Sequence, residues 1–262
     1  MRKNVWLVLG LGFALVSGRA AMADVWDVQT DNDNDAGTTE NELVHGSDQL
    51  HDLGALTGPP IDADDDWYQI SQKPFSSYEI VVDATSGDIG TGLLVTRTTS
   101  DGSTVLQTSD PVGVGYSRSL RWTNETSLEI NTQKVHVASG SCTTNCGADD
   151  VYRLRSYETT YAVPRFNNLG SQVTVLLLQN PTSYTIAGTA YFWSATGTPV
   201  GNAPINLAPK ALMVLVTSTV APTSGAMTIV HNGRYGDLSG KTVALEPATG
   251  FSFDSPMIPR VH

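Results

Sequence analysis

Apolar and polar residues alternate strongly over residues 61 to about 160 of this chain, with a period of two. That spacing turns one face of a strand toward a core and the other toward water. Residues 78–84, Tyr-Glu-Ile-Val-Val-Asp-Ala, are the clearest case in the first half. Residues 93–97, 120–122, 134–137 and 151–155 continue the pattern. Ser86-Gly87-Asp88 and Ser100-Asp101-Gly102-Ser103 punctuate it, and Asp-Gly between apolar runs is a strong hairpin signal. In the second half, residues 173–180, 187–193, 211–216 and 226–231 read as further strands. No helical period intervenes, which argues for antiparallel sheets over strand-helix-strand units. The pattern predicts an all-β chain of two antiparallel β-sandwich domains, with Trp67 and Trp122 in the core of the first.

The boundaries follow from punctuation and composition. Arg2 and Lys3, an apolar run over 5–16, and Ala20-Ala21-Met22-Ala23 form the layout of a secretory signal over residues 1–23, cleaved after Ala23. The run is too short to span a bilayer, and no later segment is long and apolar enough to do so. Residues 24–60 read as an acidic, irregular leader partly packed on the first domain, broken by Gly46, Gly54, Gly58, Pro59 and Pro60. The first sandwich spans 61–162 and the second 163–262. Pro164, which has no amide hydrogen and fits a central strand poorly, makes 163–168 look like the hinge between them.

Charge narrows the partners. The sequence holds 15 Lys and Arg against 26 Asp and Glu, a net charge of -11, with no basic cluster. Such a chain repels phosphate backbones, so nucleic acid is excluded as a partner. An exported, oxidising setting makes Cys142 and Cys146 a small-loop disulfide. Localisation is then secreted, cell-surface or periplasmic.

Asp64-Asp65-Asp66-Trp67-Tyr68-Gln69-Ile70, followed by the strand at 78–83 and by Val151-Tyr152-Arg153-Leu154, resembles the bacterial pre-peptidase C-terminal domain over roughly residues 30–160. The resemblance implies a jelly-roll-like first sandwich in a secreted protein and carries no catalytic residues with it. The second half resembles the C-terminal β module of secreted two-domain bacterial proteins without an assigned activity. The segments carrying that likeness include 164–168, 174–182, 233–238 and 245–254.

Several groups invite a chemical reading. Asp31, Asp33 and Asp35 place oxygen ligands at alternate positions, a spacing that can wrap calcium. Asp64 and Asp66, in the crowded run from Asp62, could share that ion, since close carboxylates repel unless a cation or hydrogen bonds compensate. The competing reading is a solvated acidic leader and an aspartate-rich turn. His45 and His51 lack the i, i+4 spacing of a helix-borne metal pair and read as surface polar residues. Tyr191 and Trp193 share one face of a strand and could stack on a sugar ring or peptide if that face is wet, although a core role competes. Arg234 and Tyr235 sit between glycines in a loop suited either to recognition or to plain connection. No metalloprotease, nucleophile-elbow or phosphate-loop motif is present. These features lead to an expectation of a non-catalytic extracellular protein, calcium-stabilised, that binds a glycan or protein ligand. The alternatives are an accessory module of a hydrolase, an unrecognised hydrolase, or a structural surface component.

Overall fold

A computed structural model describes residues 33, 35–53, 65–87, 89, 92–126, 131–138 and 149–260. The signal-like segment, Cys142 and Cys146 lie outside them. Among the described residues the chain is all-β, and no helix is long and apolar enough to cross a membrane.

Eight strands build the first sandwich: β1 (Asp48–Asp52), β2 (Asp65–Gln72), β3 (Ser76–Ala84), β4 (Leu94–Thr98), β5 (Val105–Thr108), β6 (Ser117–Asn124), β7 (Asn131–Ala138) and β8 (Val151–Glu158). They form two antiparallel sheets of order β1-β8-β3-β6 and β2-β7-β4-β5. Only the β4–β5 connection stays within one sheet; every other one crosses between sheets. This is the strand order of a jelly roll. The core lies between the sheets and includes the fully buried Tyr68, Ile80, Val82, Leu120, Val135, Tyr152 and Leu154. The Asp101-Gly102 turn closes the β4–β5 hairpin as expected. Gly102 sits at φ +73, and a Cβ there would lie 2.5 Å from the Ala36 side chain.

The second sandwich holds β9 (Tyr161–Asn167), β10 (Val173–Gln179), β11 (Ile186–Ser194), β12 (Pro199–Leu207), β13 (Leu212–Val216), β14 (Ser224–His231), β15 (Ser239–Glu246), β16 (Phe251–Pro256) and β17 (Ile258–Pro259). Its sheets run β12-β11-β14-β9-β17 and β13-β10-β15-β16. They enclose a second core in which Phe166 meets Phe192 edge to face at 5.3 Å.

Three local expectations are corrected. The leader is not irregular throughout: residues 48–52 are the edge strand β1, paired along its length with β8. The 163–168 segment is not a hinge, because most of it belongs to β9, inside a sheet. Pro164 is accommodated because the β9–β14 register shifts beside it, and because β17 pairs with β9 only at Tyr161 and Ala162. Trp67 is not a core residue. Its parity puts Asp66 and Tyr68 inside, so the indole lies outside and half-buried, stacked on His136 at 4.1 Å.

His231 gives the second sandwich a pH dependence. Its ring is fully buried, stacked on Tyr161 at 5.6 Å, and its Nδ1 accepts the Gly233 N–H. Burial holds its pKa down at about 4, an effect partly offset by a backbone contact with Thr159. An unfolded histidine titrates near 6.5. Above that pH both states are neutral. As pH falls from about 6.5 toward 4, the unfolded chain takes up a proton that the native chain refuses, so stability drops by up to about 3 kcal/mol. Urea unfolding at pH 7 and at pH 4.5 is expected to show this loss in the parent chain and a smaller one in His231→Gln.

Candidate functional site

Two sites emerge from this architecture. The first is buried inside the jelly roll. Register sets His51 of β1 opposite Tyr152 of β8. Alternation along β2 turns Asp66 and Tyr68 to the same interior. Asp33 arrives through its main chain, whose carbonyl accepts the Trp67 N–H at 2.6 Å. Asp33, His51 and Asp66 are all buried, and one potential ligand atom from each lies within 4.8 Å of the others. His51 Nδ1 is 3.8 Å from Asp33 Oδ2, and His51 Nε2 is 3.0 Å from Gln49 Oε1. Tyr152 donates its hydroxyl to Asp66 Oδ2, and the Tyr68 and Tyr152 hydroxyls are 2.5 Å apart. The His51 ring stacks on Tyr152 at 5.5 Å and meets Tyr68 edge-on at 5.0 Å. Burial first, and then the Asp66 charge, push the Tyr152 phenol well above its ordinary range, so it acts as a hydrogen-bond donor. Two carboxylates and an imidazole held this closely can bind a divalent cation.

This triad overlaps the calcium set expected from sequence only in part. Asp33 and Asp66 come together. Asp35 is exposed, and its Oδ1 accepts the Gly37 N–H at 2.7 Å, closing its own turn. Asp31 and Asp64 lie outside the described residues. His51 was expected on the surface and is instead central. The sequence signal that would have found it is Leu53, an apolar residue two positions on that shares its inward parity; both are buried.

The second site lies at the seam between the sandwiches. Its floor is the outer face of sheet β1-β8-β3-β6, where Glu79 and Val81 of β3 lie beside Arg155 and Tyr157 of β8. Its wall is the loop after β14, which carries Arg234, Tyr235 and Asp237. They enclose a cleft of about 270 Å³. The Tyr235 N–H donates to Glu79 Oε2 at 2.7 Å, and the Tyr235 and Tyr157 rings stack at 4.9 Å, within 7° of parallel. His45 meets Tyr235 edge-on at 5.2 Å, while its Nδ1 accepts the Glu158 N–H. Burial raises the Glu79 pKa, and the Tyr235 N–H works against that rise. Tyr184 donates its hydroxyl to Asp237. Arg155 pairs with Asp83.

Arg234 and Tyr235, both expected at a ligand site, thus line this cleft. Tyr191 and Trp193 share a face, as alternation requires, but that face meets the first sandwich. Phe75, at the β2–β3 turn with φ +48, packs edge-on against both rings at 4.7 and 4.8 Å. The Tyr191 hydroxyl donates to Glu125 at 2.5 Å. Arg121 lies over the Tyr184 ring at 5.0 Å. At the far end, Arg260 and Lys73 both bond the Glu158 carboxylate, at 2.6 and 3.0 Å.

No family model matches the chain, and no curated protein matches it. Among solved structures, a pre-peptidase C-terminal domain of collagenase from Bacillus anthracis is similar at 13% identity and TM-score 0.30, over 44% of this chain and 92% of that one. A calcium-binding mutant of Bacteroides uniformis β-glucuronidase 2 is similar at 14% identity and TM-score 0.24, over 79% of this chain and 28% of that one. A GH2 β-galacturonidase from Eisenbergiella tayi is similar at 8% identity and TM-score 0.24, over 84% of this chain and 43% of that one. The chain therefore spans less than half the length of either glycosidase. Values this low identify no family.

The stacked tyrosines make the seam measurable. A double-mutant cycle of Tyr157→Ala and Tyr235→Ala, read by urea unfolding, is expected to give a coupling of about 0.5–1.5 kcal/mol. Strict additivity would mean that the two rings do not hold the sandwiches together.

Proposed function

We propose that this chain is an exported, non-catalytic binding protein that takes an extracellular ligand at the seam between its two sandwiches. The observation that carries this reading is the cleft itself, in which a loop of one sandwich supplies Arg234 and Tyr235 opposite Arg155 and Tyr157 of the other. A site assembled from the face of one sheet and one short loop is preorganised, which reduces the ordering cost of binding. Each of its carboxylates is held by a bond within the fold: Glu79 Oε2 accepts a main-chain N–H and Asp237 accepts a phenol. Groups held in this way anchor and orient. The signal-like N-terminus and the absence of hydrolase motifs in the sequence support the same reading. Arrays of cell-surface glycans and extracellular proteins, probed with the full chain, are expected to capture a ligand that Tyr235→Ala releases. Turnover of the captured ligand, or capture unchanged by substitutions lining the cleft, would overturn the proposal.

The buried triad adds a stabilising ion to this reading. Two carboxylates and an imidazole suit a borderline divalent ion such as Zn²⁺ or Mn²⁺. Calcium, expected from the aspartate spacing, takes six to eight oxygens, more than these side chains supply. In thermal melts of chelator-treated protein, Zn²⁺ or Mn²⁺ at about 100 times its dissociation constant should stabilise by about 2.7 kcal/mol. His51→Ala should remove that gain. Equal melting with and without each of Zn²⁺, Mn²⁺ and Ca²⁺ would show that the triad is a hydrogen-bonded core cluster.

A further inference from the structure

The cleft at the seam gathers three arginines in a chain that is acidic overall. The sequence has a net charge of -11, yet Arg118, Arg155 and Arg234 converge on this one opening. Two acids lie beside them: Glu79 accepts the Tyr235 N–H at Oε2 while its buried Oε1 has no hydrogen-bond partner among the described residues, and Asp237 accepts the Tyr184 hydroxyl. Arg155 gives one nitrogen to Asp83, while its buried Nε has no hydrogen-bond partner among the described residues. Arg118 and Arg234 are exposed, and among the described residues neither forms a salt bridge. Guanidinium groups present a planar fork of donors that matches a carboxylate or sulfate.

The remaining lining narrows the ligand further. Ser117 and Ser119 place hydroxyls on the floor, and among the described residues Val81 is the single aliphatic one there. Tyr235 is 40% exposed and offers ring surface at the wall. Hydroxyls and guanidinium groups around an aromatic surface suit a sugar ring, which is apolar on its C–H face and polar at its edge. The volume, about 270 Å³, falls just below the roughly 300–1,000 Å³ of small-molecule sites. It suits a short saccharide unit. The acidic surface elsewhere would repel a long polyanion and confine favourable contact to this opening.

Building on the reading of this cleft as the ligand site, we propose that it selects a short acidic saccharide, with Arg118 and Arg234 gripping its carboxylate or sulfate and Tyr235 packing on its ring. The test is calorimetric titration of the full chain with three trisaccharides: alginate-derived (carboxylate), carrageenan-derived (sulfate) and cellulose-derived (neutral). At least one acidic trisaccharide is expected to bind, to weaken as salt rises, and to lose about tenfold in affinity in Arg118→Ala and in Arg234→Ala. Both substitutions fall at exposed positions, and unchanged urea midpoints would verify that the variants are folded. The acidic arms report which oxyanion the arginines prefer. If the neutral trisaccharide binds as tightly and both variants bind like the parent, acid selection is overturned while the cleft remains a ligand site. If no saccharide binds, and the arrays capture nothing that Tyr235→Ala releases, both readings are overturned.

Discussion

A main-chain N–H of one sandwich ends in a buried carboxylate of the other, and the seam is organised around that bond. Glu79 is 2% exposed, and a carboxylate buried so deeply is costly unless hydrogen bonds meet it. The Tyr235 N–H supplies one, at a position fixed by the loop after β14. The same demand recurs at the buried Glu158, met by Lys73 and Arg260, and the exposed Glu125 accepts the Tyr191 hydroxyl. Each acid comes from the first sandwich, and the second supplies a partner for each. Bonds of this kind contribute little net stability, because desolvation offsets most of their attraction, but they penalise every other docking angle. The cleft and its cluster of arginines follow from that placement.

Aromatic contacts provide the apolar part of the same seam. Phe75 adopts a backbone conformation uncommon for a bulky residue, and its ring lies against both Tyr191 and Trp193. Tyr157 and Tyr235 stack beside the Glu79 bond, where they shield it from water and strengthen it. Inside the jelly roll the problem of buried charge is solved differently. Asp33, His51 and Asp66 are gathered by three separate segments, and the Tyr68–Tyr152 hydroxyl chain ends on Asp66. Strand order makes this possible, since β1 and β2 lie in opposite sheets and face each other across the core.

Much of the fold was legible in the sequence, and less of the sites. Alternation over 78–84 located β3, because burial on one face leaves a period of two, and the apolar run at 173–178 before the turn at Pro181 located β10. Alternation also placed Tyr191 and Trp193 on a common face. Where a residue's role depends on what lies outside its own strand, local reading failed. Pro164 looked like a hinge because its neighbours in the sheet, and the register shift beside it, come from residues far along the chain. Trp67 looked like core because its size suggested burial, whereas parity decided the matter in favour of Tyr68. The acidic run around Asp33 suggested one local ion loop. Asp35 instead closes its own turn, and the partner gathered with Asp33 and Asp66 is the imidazole of His51.

The order of residues alone determined the strands, the antiparallel character and the acidic balance, because these depend on side-chain period and composition within a few neighbouring positions. It also nominated Arg234 and Tyr235, whose flanking glycines marked a loop. Only the tertiary structure decided what these groups meet. It directed Tyr191 and Trp193 to Phe75, brought Arg118, Arg155 and Arg234 to one opening, and set His51 between two aspartates. Sheet packing brings together residues of separate segments, some as far apart as Phe75 and Tyr191, and no local pattern encodes such a meeting.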